Sequence, residues 1–366
     1  MEGSNLNKVA DLFDRSSINP DDIERIEHVN VWEGFYKGED GEAHTVLMGG
    51  VKLRPKTEPV DTELFVRQAP GRIINPVTPV VTGRKDKLTL CMGDAQIGFR
   101  GEEAFHDDRA MNLSLVAAHE LQPDEIVLTG DMVDLQSMSS FSQRPDWVGN
   151  TQAAIDRYNE FLAGLRANAP NAKISAVHGN HELRLDRYIR KNAGELLGLK
   201  RANVEHELAV LTLQYLARYD DLEVNGVDGY PNAAYWLEDN LKVMHGWVAK
   251  KGNGTALRYL QTENESTIFG HDHRLQVAHR TIPQRVGHRV MVAASPGCLA
   301  KVDGTVPSVG HSVDGAGNTV KRAMDWQNGL IVVEHSAVAH EVMTVKMSEV
   351  GDKLVMRLGG VAYEQA

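Results

Sequence analysis

Five times along this chain a short apolar run ends in a glycine and a side chain able to bind a metal ion. Residues 88–92 lead into Gly93-Asp94-Ala95-Gln96, residues 125–129 into Gly130-Asp131-Met132-Val133-Asp134, and residues 173–178 into Gly179-Asn180-His181-Glu182. Residues 241–244 lead into His245-Gly246, and residues 266–269 into Gly270-His271-Asp272-His273. In open α/β sheets, ligands bind beyond the carboxyl ends of the strands, so these loops are expected to converge on one site. A glycine at each turn admits unusual φ/ψ values and lets the backbone approach the site closely. The donors are carboxylate, carboxamide and imidazole without thiolate, a set suited to Mn, Fe, Zn or Mg rather than to a structural zinc knuckle. Singly, a Gly-Asp pair is usually a turn and an HxH is often surface or core. Five in one order, all at strand ends, carry far more weight.

The rest of the composition bounds the possibilities. With 366 residues and 42% apolar content, the chain can build one large domain plus a smaller appendage. The first residues, MEGSNLNKVADLF, lack a basic segment followed by an apolar one, so no secretory signal is expected. No apolar run is long enough to span a bilayer, and no membrane partner is expected. Cys91 and Cys298 cannot form a disulfide framework and read as buried thiols in a reducing cytoplasm. The net charge of -11 argues against an overall basic coat for nucleic acid, although it leaves room for a local basic groove.

Along the chain, residues 1–53 form a candidate N-terminal module. Leu6, Val9, Ala10 and Phe13 have helical spacing, and Asn19-Pro20 reads as the start of a second helix through Ile23 and Ile26. Residues 29–36 and 44–53 then read as two strands around a polar turn. Such a module fits docking or homo-oligomerisation, with a winged-helix-like nucleic-acid unit as the alternative. Residues 54–86 hold five prolines and read as a linker. From 87 to 345, apolar runs alternate with helical stretches at 109–121 and 151–167, the pattern of an α/β (α+β) domain. Strands are expected at 289–294, 329–334 and 353–358, the last within a C-terminal strand and tail at 346–366.

The order D-x-Q, GDxxD, GNHE, HG, GHxH resembles the calcineurin-like metallophosphoesterase superfamily, over roughly residues 86–345. Ser295-Pro296-Gly297 matches the N-P-G turn that often follows the family's last histidine motif. The resemblance implies a β-sandwich flanked by helices, with two divalent metal ions at one sheet edge. Carried over by residue, Asp94, Gln96, Asp131 and His273 would hold the first metal. Asp131 would bridge to the second, completed by Asn180, His245 and His271. Two cations about 3.5–4 Å apart activate a bridging hydroxide and neutralise the attacked and departing oxygens of a phosphoester. His181 would protonate the leaving oxygen, oriented by Asp134, a general-acid contribution of about 10² to 10⁴.

One position departs from the family, which usually has histidine where Gln96 stands. An amide oxygen is neutral and harder than imidazole, so the first site is expected to bind more weakly and to favour Mn or Mg over Zn. A silent binding scaffold is the alternative reading. For the substrate, Arg184, Arg187, Arg190 and Lys191 follow the GNHE loop, and Lys250, Lys251 and Arg258 follow His245. They would track a DNA or RNA backbone, or they are a solvated helix face. Trp147 and Trp247 would stack on a base, or they belong to the core. Leu135-Gln136 stand where phosphoprotein phosphatases carry Arg-Gly. That substitution places a phosphodiesterase or nuclease ahead of a phosphomonoesterase.

Overall fold

The computed structural model describes residues 86–139, 149–204, 207–306 and 325–366, together with the backbone of residues 23–37, 43–55, 312–313 and 319–320. The chain parts into two compact units, residues 1–80 and 81–366.

In the first unit, β1 (Ile23–Lys37) pairs antiparallel with β2 (Ala43–Pro55), from Lys37 opposite Ala43 to Ile23 opposite Pro55. The two expected strands are present and longer than their apolar runs suggested. The helix expected through Ile23 and Ile26 is not formed, because both residues lie in β1. Their three-residue spacing mimics a helical period. Register shifts between Ile23 and Arg25 and between Ile26 and His28 absorb it as bulges in the ladder. Pairing with a neighbouring strand outweighs a weak local preference. The helix expected near residues 6–13 and most of the proline-rich stretch lie outside the described residues.

The second unit contains the five apolar runs as β3 (Lys87–Met92), β4 (Glu125–Leu128), β5 (Lys173–Val177), β8 (Leu241–Met244) and β9 (Ser266–Phe269). They are short and buried on both faces, and so read as continuous apolar runs rather than alternating ones. Two further strands, β6 (Val224–Val227) and β7 (Ala234–Glu238), separate the two groups. The chain then continues through β10 (Leu275–Pro283), β11 (His288–Pro296), β12 (Gly329–His335), β13 (His340–Val350), β14 (Lys353–Leu358) and β15 (Val361–Gln365).

These strands make an eight-stranded sheet in the order β15-β14-β13-β12-β3-β4-β5-β6 and a five-stranded sheet in the order β10-β11-β9-β8-β7. Strands β3 to β6 are parallel, with Met92 beside Leu128 and Leu128 beside Ala176. Strand β8 is parallel to β9, with Met244 beside Phe269. Within each sheet the ligand-bearing loops therefore leave from the same level.

The two sheets face each other across an apolar layer that includes Cys91, Val127, Leu241, Val243, Ile268 and Ile331. Helices α1 (Asp108–Leu121) and α2 (Thr151–Asn168) cover the outer face of the larger sheet through Met111, Leu113, Tyr158, Phe161 and Leu162. Helix α3 (Leu183–Asn192) follows the β5 loop. Helix α4 (Gly254–Thr262) covers the smaller sheet with Ala256, Tyr259 and Leu260. This is a mixed α/β fold, two packed sheets flanked by helices. Among the described residues no helix is long and apolar enough to cross a membrane.

Ile268 is fully buried between the sheets. Ile268→Ala should lower the unfolding free energy by about 2–5 kcal/mol, read by denaturant titration. A loss below about 1 kcal/mol would show that this layer is not closely filled.

Candidate metal centre

The loops after β3 and β4 are zipped together by their own backbones. Asp94 N–H donates to Gly130 C=O at 2.9 Å, Gln96 N–H to Asp131 C=O at 3.0 Å, and Asp134 N–H to Ile97 C=O at 2.9 Å. The other sheet joins them through side chains. His271 N–H donates to the Asp94 carboxylate at 3.0–3.1 Å, and His245 Nδ1 donates to the Thr129 carbonyl at 2.8 Å. The site therefore straddles the seam between the sheets.

Left-handed backbone falls on the expected ligands themselves. Asp94, Gln96, Asp131, His271 and His273 have φ of 51, 52, 50, 75 and 58°. Each such residue costs roughly 1–3 kcal/mol, a strain that accumulates where a site needs it. The glycines contribute mainly by close approach. A Cβ on Gly179 would lie 2.2 Å from Asp131 Oδ1, and one on Gly270 would lie 2.6 Å from Asp94 Oδ2. Glu182, the last residue of GNHE, holds the arrangement from behind. Its carboxylate accepts from the backbone N–H of Asp131 at 3.0 Å, Met132 at 2.7 Å and Gly179 at 2.7 Å. No sequence signal separated that role from the chemistry of its neighbours.

The donors do meet. Metal-binding atoms of Asp131, His245 and His271 lie within 4.8 Å of one another. Asn180 Oδ1 is 3.2 Å from His245 Nε2, which is itself 3.3 Å from Asp131 Oδ2. A carbonyl can only accept, so the contact with Thr129 puts the first proton of His245 on Nδ1 and aims Nε2 at this cluster. On the other side, His273 Nε2 is 3.1 Å from Asp94 Oδ1, and Gln96 Nε2 is 3.4 Å from Asp131 Oδ2. Gln96 Oε1 is buried with no hydrogen-bond partner. A cation facing the amide oxygen would supply the missing partner, so the residues present fit a metal pair.

Electrostatics point the same way. Asp94, Asp131 and Asp134 are 0, 2 and 0% exposed. Burial works against the Asp131 charge, yet His181 and His245 outweigh it and hold the carboxyl well below the usual carboxylate range. Burial opposes protonation of His245 as well, but Asp131 prevails and pushes it up to about 10. A divalent cation would displace that proton. His271 is moved down to about 4, first by burial and then by His245, which leaves a lone pair for coordination.

His181 stands beside this cluster, with Nδ1 2.9 Å from Asp134 Oδ1 though poorly aligned for a hydrogen bond, and Nε2 3.6 Å from Asp131 Oδ2. Arg184, read from the sequence as either tracking a nucleic-acid backbone or lying on a solvated helix face, is largely buried instead. Its guanidinium turns inward, with Nη1 2.9 Å from Asp134 Oδ1 and Nη2 2.9 Å from His181 Nε2. Buried charge offers a cation more than solvent does, and a helical i, i+3 step from His181 gives the reach. Arg190 is paired with Asp186 at 2.7 Å. Arg187, Lys191, Lys250, Lys251 and Arg258 are exposed. Trp247 is 57% exposed, which removes the core reading for it, and Trp147 lies outside the described residues.

Residues 89–275, just over half of the chain, match the family model described as calcineurin-like phosphoesterase. Over 281 residues the chain is 23% identical to the gene 54 protein of Mycobacterium phage D29, covering 71% of this chain and 94% of that protein. The gene 54 protein of Mycobacterium phage L5 is 21% identical over 276 residues, with shares of 71% and 94%. Among solved structures, Chaetomium thermophilum Vps29 is similar with a TM-score of 0.30 and 10% identity, covering 76% of this chain and 93% of that one. The phosphoesterase Yfce of E. coli is similar with a TM-score of 0.27 and 12% identity, covering 71% and 98%.

Two outcomes follow from this geometry. Gly179→Ala should lower metal content while far-ultraviolet circular dichroism stays unchanged, since the added methyl collides with the Asp131 carboxylate. Full occupancy in that variant would mean the loops yield without cost. Gln96→His should tighten the weaker metal equivalent in a calorimetric Mn titration. An unchanged affinity would remove Gln96 from the ligand set.

Proposed function

The chain belongs to the calcineurin-like phosphoesterase family and is a metal-dependent phosphoester hydrolase; from that premise we propose that it is a phosphodiesterase acting on nucleic acid or nucleotides. The observation that carries this reading is the convergence of carboxylate, amide and imidazole donors from both sheets beside His181. In it, Asp94, Gln96, Asp131 and His273 hold one cation. Asp131, Asn180, His245 and His271 hold the other. Oxygen-rich donors favour Mn²⁺, with Mg²⁺, Fe or Zn²⁺ as the other metals of this ligand class. When bound, the pair supplies an activated water and neutralises charge on the phosphoryl oxygens.

The remaining work falls to side chains around His181. Asp134 faces Nδ1 and Arg184 faces Nε2. A guanidinium only donates, so in this arrangement Nε2 presents a lone pair and the imidazole proton sits on Nδ1. An incoming phosphoryl oxygen competes for the Arg184 guanidinium, which binds such oxygens in a planar fork. As Arg184 turns to the substrate, the freed Nε2 takes up a proton from solvent and passes it to the departing oxygen, while Asp134 keeps the ring oriented.

Leu135-Gln136 in place of Arg-Gly supports a diester, because one guanidinium fewer faces the extra charge of a monoester. Arg184 beside His181 favours the second reading, a phosphomonoesterase. Hydrolysis of bis-p-nitrophenyl phosphate and p-nitrophenyl phosphate with added Mn²⁺ separates them. Faster turnover of the monoester would reject the diesterase. His181→Asn should reduce turnover by about 10²- to 10⁴-fold while metal content stays whole. Loss of metal in that variant would make His181 a ligand instead.

A further inference from the structure

Two aromatic rings pack against histidines assigned to the candidate metal pair, one against each. The Tyr230 ring lies 5.7 Å from that of His245, between centroids and tilted by 57°. The Trp326 ring lies 4.0 Å from that of His273, tilted by 53°. In the ligand assignment above, His245 belongs to one metal and His273 to the other. Both rings are part-exposed, so each keeps surface for a further contact. Neither was singled out by the sequence, because each comes from a loop that carries no metal-binding motif.

A cation stands near the first ring. Arg187 lies one helical turn beyond Arg184 on α3, is exposed, and forms no ion pair among the described residues. Burial pushes the Tyr230 hydroxyl up, Asp131 adds to this, and the Arg187 guanidinium opposes it. Tyr230 thus has a metal-donor histidine on its ring and an unpaired guanidinium within electrostatic range.

The geometry points to a single-stranded nucleic acid as the substrate, held with one base on Tyr230, another on Trp326, and the phosphate next to the scissile one on Arg187. This rests on the phosphodiesterase reading. A phosphate placed over both metals has two ester substituents, and an aromatic ring packs against a histidine of each metal's assigned set. A monoester has one such substituent and leaves one ring without work. Aromatic faces take any base, so stacking supplies affinity without sequence preference. A paired duplex keeps its bases stacked inside and offers these rings nothing.

Fluorescence anisotropy tests the inference apart from turnover. Binding of a labelled deoxythymidine octamer is measured in Mn²⁺ in a His181→Asn background, beside an octamer whose two central residues are abasic. The intact strand should bind about tenfold or more tightly than the abasic one. Tyr230→Leu should remove most of that preference while binding of the abasic strand stays unchanged, and Tyr230→Phe should retain the preference. Arg187→Gln should weaken both strands alike and reduce the salt slope of log K by about 0.7. Equal affinity for intact and abasic strands would overturn the stacking role, as would equal loss on both strands in Tyr230→Leu at unchanged metal content and melting temperature. A wild-type protein that hydrolyses no phosphodiester in Mn²⁺ defeats the phosphodiesterase reading, whereas the binding ratios bear on the aromatic pair alone.

Discussion

Three carboxylates, Asp94, Asp131 and Asp134, are sealed from water at one edge of the sandwich, and the surrounding chain is arranged around the cost of burying charge. An isolated ion in a protein interior costs several kcal/mol even after relaxation, so each carboxylate must be paired or must hold a metal. Asp134 meets Arg184 and His181; Asp131 meets His245, His181 and a backbone N–H; Asp94 meets His273 and the N–H of His271. The His245 and His273 imidazoles thereby find their place as partners to buried charge, while His271 contributes its backbone N–H. A cation pair intensifies this arrangement rather than creating it.

The seam between the sheets is what lets so many donors meet. Parallel strands within each sheet deliver their loops at one level, and two sheets packed face to face bring two such rows together. Neither row alone has enough donors for two metals. The strained φ values at Asp94, Gln96, Asp131, His271 and His273 turn side chains inward across this seam. Aspartate and histidine tolerate that conformation better than most residues, so the donor types also suit the backbone. Gln96 has no such ease, and its amide oxygen is among the buried polar atoms of the site left without a partner.

Much of this was legible in the sequence because strand, turn and donor are adjacent in the chain. The five strand ends, the helices near Arg109 and Thr151 and the strand from Lys353 to Leu358 all follow from local pattern. Three other features depend on groups distant in sequence. Arg184 looked like one of several surface cations, and only the fold shows the buried carboxylate that draws it in. Ile23 and Ile26 carry a helical spacing that a ladder bulge accommodates equally well. Tyr230 and Trp326 belong to motif-free loops, and nothing before the fold joins them to His245 and His273.

Glu182 gives the GNHE motif a second meaning. Its carboxylate meets no metal-binding side-chain atom, yet it grips the backbone of two loops at three amides. The four letters thus mix trades: in the proposed assignment Asn180 and His181 serve the reaction, while Glu182 acts as a keystone for the ground they stand on. A descendant of this chain could keep every metal donor and lose Glu182, and a motif count would score it nearly whole. Its site would survive as an inventory but not as a shape.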